Sequence, residues 1–260
     1  MEYFYIHVVS YYIGNNRDDN IKRAFQQLNN KMVSKKQTEN EINLLLVYVI
    51  FDELTNDIRA KFEEYKKMEN NNTKINILFR WNTGGTVQTL NYAYDYIVNN
   101  NIKCKYIGAW EDDMCYKNKY FLDIVDNYLK EGYIFVGSLW GNYNGVKTLT
   151  PNNNRQVPWL TEKMIYPNII TNNKIEENMY MWCEDPYITT LTNLHKIKEK
   201  MNKFTLAPEN EIYTHCQHGI NYGEVGFPTR LHINGFKFIG LKLDEYFISF
   251  ENKSIGNKNI

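Results

Sequence analysis

Short apolar runs alternate with helical periodicity through the first half of this chain. Tyr3 to Ser10 is rich in β-branched and aromatic residues and reads as a strand. Ile21, Ala24, Phe25 and Leu28 fall at i, i+3, i+4 and i+7, which is one face of a helix. Asn43 to Phe51 is a second strand, and Leu54, Ile58 and Phe62 mark a second helix. Lys74 to Arg80 is a third strand. Leu90, Ala93, Tyr94 and Ile97 mark a third helix, and Lys103 to Trp110 is a fourth strand. Strands separated by helices predict βαβ units with right-handed crossovers and a mainly parallel sheet. Hydrophobicity in these strands is continuous rather than alternating, as expected of a sheet covered on both faces.

The second half is less regular. Tyr120 to Leu129 predicts a helix before a strand from Tyr133 to Ser138. Residues 140 to 180 are rich in Asn, Gly, Pro and Trp and read as long loops with short strands. Ile188, Leu191, Leu194 and Ile197 predict a helix after Pro186. A short helix is expected near Pro228, closed by Asn234-Gly235 and followed by a strand from Phe236 to Leu243. No internal repeat or linker is visible. One α/β domain over residues 1–260 is expected, regular over residues 1–138 and irregular over residues 139–260.

Composition narrows the function classes. Thirty Lys and Arg balance 30 Asp and Glu, so no basic field for nonspecific nucleic-acid binding exists. Mean hydropathy is −0.56, and no apolar run approaches the roughly 20 residues of a membrane span. Met1-Glu2-Tyr3-Phe4-Tyr5 lacks the basic start of a signal peptide, so a soluble, cytoplasmic protein is expected. Cys104, Cys115, Cys183 and Cys216 form no Cys-x-x-Cys pair, and reduced thiols are expected. Asn-rich runs and the 21 tyrosines partly reflect A/T-rich codons. Tyrosines also suit sugar faces, since a ring and a hydroxyl stack and hydrogen-bond together.

Candidate chemistry lies at the ends of the predicted strands, where ligands of open α/β sheets bind. Trp110-Glu111-Asp112-Asp113-Met114 closes an apolar run with three consecutive carboxylates. Carboxylates repel one another, and a divalent cation lets them share a site. Mg²⁺ and Mn²⁺ take oxygen ligands, and Mg²⁺ commonly uses one or two carboxylates plus substrate phosphates. A solvated turn leading into a helix would leave the same trace. Arg80-Trp81-Asn82-Thr83-Gly84-Gly85-Thr86 follows the third strand and opens a helix, whose N-terminus attracts phosphate. It is neither Gly-x-Gly-x-x-Gly nor a P-loop. Ser10 and Asp52 also lie at strand ends.

Arg80-x-Asn82-x-Gly84, then Asn91, then a strand ending Glu111-Asp112-Asp113, resembles the GT-A glycosyltransferases, family-2-like enzymes in particular. Ser10-Tyr11-Tyr12 is similar to the family's first nucleotide loop, and Asp52-Glu53 to its acid after strand two. The likeness covers residues 3 to about 138. It resumes at Gly223-Glu224-Val225-Gly226-Phe227-Pro228-Thr229-Arg230-Leu231 and Gly235-Phe236-Lys237-Phe238. The resemblance implies a GT-A-like, Rossmann-like mainly parallel sheet flanked by helices, with an irregular C-terminal acceptor region. It implies that Asp52 reads the nucleobase and that Ser10, Tyr11, Arg80, Asn82, Gly84, Asn91 and Asp112 line the nucleotide-sugar pocket. Glu111 and Asp113 take the DxD positions that hold Mn²⁺ or Mg²⁺, the first being Glu where the family has Asp. His218 is a candidate further ligand; His215 and His232 are others, and each alone also suits a surface histidine.

The expected activity is metal-dependent transfer of a hexose from a nucleotide sugar, a UDP-sugar being favoured, to a glycan or other hydroxyl acceptor, with inversion. Inverting transfer needs a carboxylate to take the acceptor proton. Glu224 has the family-like context. Glu184-Asp185 is the competing acidic site, and with Pro186 it also has the composition of a helix start. Trp140, Trp159 and Trp182 suit either acceptor platforms or the core. Two other functions fit the same class of fold. A sugar-phosphate nucleotidyltransferase normally carries a glycine-rich basic loop after strand one, and Tyr11-Tyr12-Ile13-Gly14-Asn15-Asn16-Arg17 has one Gly and one Arg. A non-catalytic sugar- or protein-binding module would be expected to have lost the acids.

Overall fold

The structure, a computed structural model, describes residues 2–12, 22, 32–38, 42–50, 55–71, 73–80, 85–112, 114–139, 183–202, 204, 227–228, 230–232 and 234–249. Its elements in chain order begin with β1 (Glu2–Tyr12), β2 (Ile42–Ile50), α1 (Asn56–Lys66), β3 (Thr73–Arg80), α2 (Gly85–Asn99) and β4 (Lys103–Glu111). There follow β5 (Met114–Tyr116), α3 (Phe121–Lys130), β6 (Phe135–Leu139), β7 (Glu184–Thr190), α4 (Leu191–Met201), β8 (Phe238–Lys242), α5 (Leu243–Tyr246) and β9 (Phe247–Ser249). The helix predicted on Ile21, Ala24, Phe25 and Leu28 lies outside the described residues, as do residues 140–182. Among the described residues, no helix is long and apolar enough to cross a membrane.

Seven strands form one sheet in the order β3-β2-β1-β4-β7-β6-β8. The pairs β1–β2, β1–β4, β2–β3 and β6–β8 are parallel, and β7 alone in this sheet runs against its neighbours. The fold is therefore α/β, a mainly parallel sheet flanked by helices, as expected from the alternating pattern. A separate ribbon pairs β5 with β9, from Met114↔Ser249 to Tyr116↔Phe247.

One prediction is corrected. Pro186 to Thr190 forms strand, not helix, and the helix starts at Leu191, where Thr190 Oγ1 accepts the Asn193 amide at 3.1 Å. Ile188 matches the helical spacing of Leu191, Leu194 and Ile197, which misleads the periodicity. β-Branched Ile188, Thr189 and Thr190 fit a pleated strand; insertion between β4 and β6 pairs Ile188 on both sides and Thr189 and Thr190 with β4. The expected closure at Asn234-Gly235 is present. Gly235 has φ +77° and its amide donates to His232 O at 2.9 Å.

Side-chain alternation divides the core between the two faces. A register shift near Tyr3 lets Phe4 and Tyr5 share a face, after which Tyr5, Val9 and Tyr11 pack with Phe62 of α1 and Phe121, Leu122 and Val125 of α3. Ile6 and Val8 of β1 and Ile107 and Ala109 of β4 face the other way, toward Leu90, Ala93 and Ile97 of α2 and Leu194 and Ile197 of α4. α3 is amphipathic, burying Phe121, Leu122 and Val125. Its exposed side is tied by Asp126, which accepts from Tyr106 Oη at 2.8 Å and pairs with Lys36 and Lys130, each at 2.6 Å. Burial alone would raise the Asp126 carboxyl, but bonds from Lys130, Lys36 and Tyr106 outweigh it and hold the group well below the usual range.

A buried polar chain runs across the middle of the sheet. Trp110 Nε1 donates to Tyr5 Oη at 2.7 Å, and Tyr5 Oη lies 3.2 Å from His7 Nδ1. Indole is a donor only, so the Tyr5 hydroxyl accepts from it and donates its own hydrogen to His7. His7 therefore carries its proton on Nε2, which is buried with no hydrogen-bond partner. Its ring stacks on Trp110 with centroids 5.1 Å apart. Gly108 makes room for this chain, since a Cβ there would collide with Tyr5 Oη and sit 2.8 Å from Trp110 Nε1.

Two outcomes follow. Gly108→Ala is expected to cost about 2–3 kcal/mol by overpacking and by breaking the Trp110–Tyr5 bond, read from the urea midpoint. Burial pushes the His7 imidazole from 6.5 down to about 3. Between those values the unfolded chain binds a proton that the folded chain refuses. The contribution of His7 is thus complete above pH 6.5 and is lost as pH falls toward 3, by up to about 1.4 kcal/mol per pH unit. In His7→Phe the stability curve measured from pH 7 down to about pH 4 should be flatter than in the parent. An unchanged slope would contradict the buried neutral imidazole.

Candidate functional site

The carboxyl ends of β1, β3 and β4 converge on the first turns of α2. β1 and β4 are paired in register with Ser10 beside Glu111. Strand alternation turns both toward α2, because Val8 and Ala109, two residues earlier, belong to the cluster on that face. Ser10 Oγ donates to Thr89 Oγ1 at 2.9 Å, and Arg80 Nη2, from the end of β3, donates to the same oxygen. Thr86 Oγ1 donates to Glu111 Oε1 at 3.4 Å. Ser10 and Thr89 are fully buried and Arg80 is half-buried. Asp112 follows directly and is 2% exposed. Among the described residues, the rim therefore holds the Arg80 guanidinium and the Glu111 carboxylate, with a hydroxyl network joining Arg80 to the end of β1.

A carboxylate, Glu111, and a guanidinium, Arg80, thus both reach hydroxyls on the first turns of α2. Glu111 and Asp112 supply hard oxygen donors of the kind that Mg²⁺ and Mn²⁺ accept. Arg80 and the start of α2 supply positive charge suited to phosphate. Among the described residues, no set of three His, Cys, Asp or Glu side chains gathers as a complete metal cage. Asp113 and His218, the other expected ligands, lie outside the described residues.

The remaining expected site residues divide three ways. Tyr11 turns away from the rim, and its ring stands edge-on to Phe62 in the core, with centroids 5.2 Å apart. Asn91 sits on the seam between α2 and α4, where Lys198 Nζ donates to its Oδ1 at 2.8 Å and reaches Asp95 at 3.4 Å. The geometry joins neither to the Ser10–Thr89–Arg80 group. Asp52, Asn82, Gly84 and Glu224 lie outside the described residues. The backbones of Glu184 and Asp185 open β7. Because β7 is antiparallel to β4, with Ala109 opposite Tyr187, its beginning meets the carboxyl end of β4. Two more residues along this register bring Asp185 level with Glu111.

Sequence reasoning missed Thr86 and Thr89. Both follow the Gly84-Gly85 pair at a three-residue spacing, on one side of the first turns of α2. Two hydroxyls on a helix start beside an Arg-ended strand were the available signal. Arg230, part of the second resembling segment, anchors the end of α4. It donates to Phe204 O at 2.9 Å and Met201 O at 3.5 Å, and burial lowers its guanidinium to about 10. His232 is half-buried on the next turn of chain.

Replacing Thr89 with Val leaves the buried Ser10 hydroxyl without its acceptor. A loss of about 1–3 kcal/mol is expected on chemical denaturation, and Thr89→Ser should recover most of it. Equal stability of Thr89→Val and the parent would contradict the network.

No family model matches the chain, and no curated protein does. Three solved structures of S. aureus TarS are similar to it. One is 16% identical with a TM-score of 0.48, covering 95% of this chain and 36% of that one. A second, of TarS residues 1–349, is 13% identical with a TM-score of 0.43, covering 97% of this chain and 62% of that one. The third, the same TarS segment in complex with UDP-GlcNAc, is 15% identical with a TM-score of 0.46, covering 94% and 57%. This chain thus spans between 36% and 62% of the length of those proteins. The likeness fixes no residue's role.

Proposed function

We propose that this protein transfers a sugar from a nucleotide sugar, a UDP-sugar being favoured, to a hydroxyl acceptor, with inversion. The observation that carries the reading is the rim at the end of β4, where Glu111, followed in the chain by buried Asp112, lies beside Ser10 and Thr86, with Thr89 and half-buried Arg80 bonded to Ser10's side of the rim. An open parallel sheet binds its ligands at this edge. The pairing of acids with a guanidinium suits a diphosphate neutralised from two sides. A nucleotidyltransferase would need a basic loop after β1 for a triphosphate, and the single Arg17 in that stretch does not favour it.

Glu111, with Asp112 and Asp113, would hold Mn²⁺ or Mg²⁺. Such an ion, when bound, offsets charge on a departing diphosphate. Arg80 stabilises the phosphate charge by direct donation, and its contact with Thr89 fixes the guanidinium in place. The acceptor hydroxyl loses its proton to a carboxylate as its oxygen bonds to the anomeric carbon. The bond from that carbon to the diphosphate oxygen breaks, and its electron pair leaves with the nucleoside diphosphate. For the base we take Asp185, with Glu184, because the register of β7 brings their backbone to the rim; Glu224, outside the described residues, is the alternative. Entering against β4, β7 starts at the edge where Glu111 ends.

The test is hydrolysis and transfer across a panel of nucleotide sugars with Mn²⁺ or Mg²⁺, in the parent and in Asp185→Asn and Glu224→Gln. Asp185→Asn is expected to lower kcat by about 10²–10⁴-fold with little change in donor affinity. Glu224→Gln should keep most of the turnover. The reverse pattern would move the base to Glu224. Pyrophosphate release from UTP and a sugar phosphate, with no sugar transfer, would overturn the reading.

A further inference from the structure

A pocket of about 140 Å³ opens on the α3 face of the sheet, walled by Phe121, Ile124, Val125, Ile188, Leu241 and Phe247. It is separate from the Ser10–Arg80–Glu111 group, which faces α2. Yet both stand at the same edge. β6 and β8 run in the direction of β4, so the carboxyl ends of all three share one side of the molecule. The segments bordering the pocket leave from that side: residues 117–120 follow β5, and α5 follows β8. The Lys117 amide fastens them together by donating to Tyr246 O at 2.9 Å. Two wall residues, Phe121 and Phe247, each contact the Trp110 ring, with centroids 5.9 Å away. The wall of the pocket thus abuts the residue preceding Glu111.

Size and chemistry select the guest. An apolar cavity of about 150 Å³ is enough to hold one benzene molecule. Six apolar side chains give a guest of that size a hydrophobic drive proportional to the area it buries. Exposed Lys117 and Glu245 at the border contribute one charge of each sign, so the border favours neither an anion nor a cation. We propose that this pocket receives a neutral single-ring aromatic or branched aliphatic group carried by the hydroxyl acceptor. The assignment to the acceptor rests on the sugar-transfer reading; the ring site does not.

Two measurements separate these. First, protein with labelled methyl groups is titrated with benzyl alcohol, and with glycerol as the ringless control, in the absence of any donor. Saturable shifts of the Ile124, Val125, Ile188 and Leu241 methyls are expected, with a Kd on the order of 1 mM. Glycerol should cause none. Ile124→Phe fills the pocket from a half-buried position and should weaken binding at least about tenfold while keeping the melting temperature, with Ile188→Phe as the second filling variant. Second, transfer to a benzyl glycoside is compared with transfer to the methyl glycoside of the same sugar. The benzyl compound should show a KM about tenfold lower, and that preference should vanish in Ile124→Phe. Absence of methyl shifts, or full affinity in both filling variants, overturns the ring site. A benzyl preference that survives filling overturns the acceptor assignment. Methyl shifts without transfer to any glycoside would overturn the sugar-transfer reading and the acceptor assignment with it, and the ring site would stand.

Discussion

The parallel pairing of β1 with β4 is the constraint on which the rest depends. It sets Ser10 beside Glu111, and a slip of one residue would turn every side chain of one strand to the opposite face. The register is held from within by the bond from Trp110 to Tyr5 and the stack of Trp110 on His7. These groups span the two strands just below the rim. Their fixed position transmits to Glu111, because one peptide unit separates Trp110 from it. A buried imidazole is a costly component, and desolvation keeps it neutral. What it supplies is a single satisfied acceptor for Tyr5 and a flat ring for Trp110.

The two faces of the sheet divide the chemistry. Toward α2 lie the hydroxyls of Ser10, Thr86 and Thr89, with Arg80 and Glu111. Toward α3 lies an aromatic mass in which Trp110, Tyr116, Phe121 and Phe247 meet edge-on or stacked. The aromatic face packs against the opposite side of the strand that ends in Glu111. The β5–β9 ribbon extends this second face beyond the end of β4 and gives the apolar pocket its outer wall. The Ser10–Glu111 group and the apolar pocket thus occupy opposite faces of the sheet near one strand end.

Much of the architecture was legible in the chain. Continuous apolar runs marked β1, β2, β3, β4 and β6 to within a few residues, since a strand covered on both faces must be apolar at nearly every position. Leu90, Ala93, Tyr94 and Ile97 marked α2 for the same energetic reason. Ser10, Arg80 and Glu111 were legible as site candidates because ligands collect at strand ends. Thr86 and Thr89 were not, since a helix-start threonine has many ordinary uses. Tyr11 was proposed at the rim from its position after β1, but strand alternation directs it into the core against Phe62.

The sequence by itself determined β1 to β4, β6 and β8, the helices α1 to α3 and the acidic end of β4, because these follow from local periodicity and residue chemistry. Tertiary structure alone decided that Pro186 to Thr190 becomes a reversed strand. Its β-branched residues are paired by β4 and β6, and neither partner is near it along the chain. That reversal brings the Glu184-Asp185 backbone to the rim. No local pattern encodes such a position, because it depends on which open strand edge remains for the segment to fill.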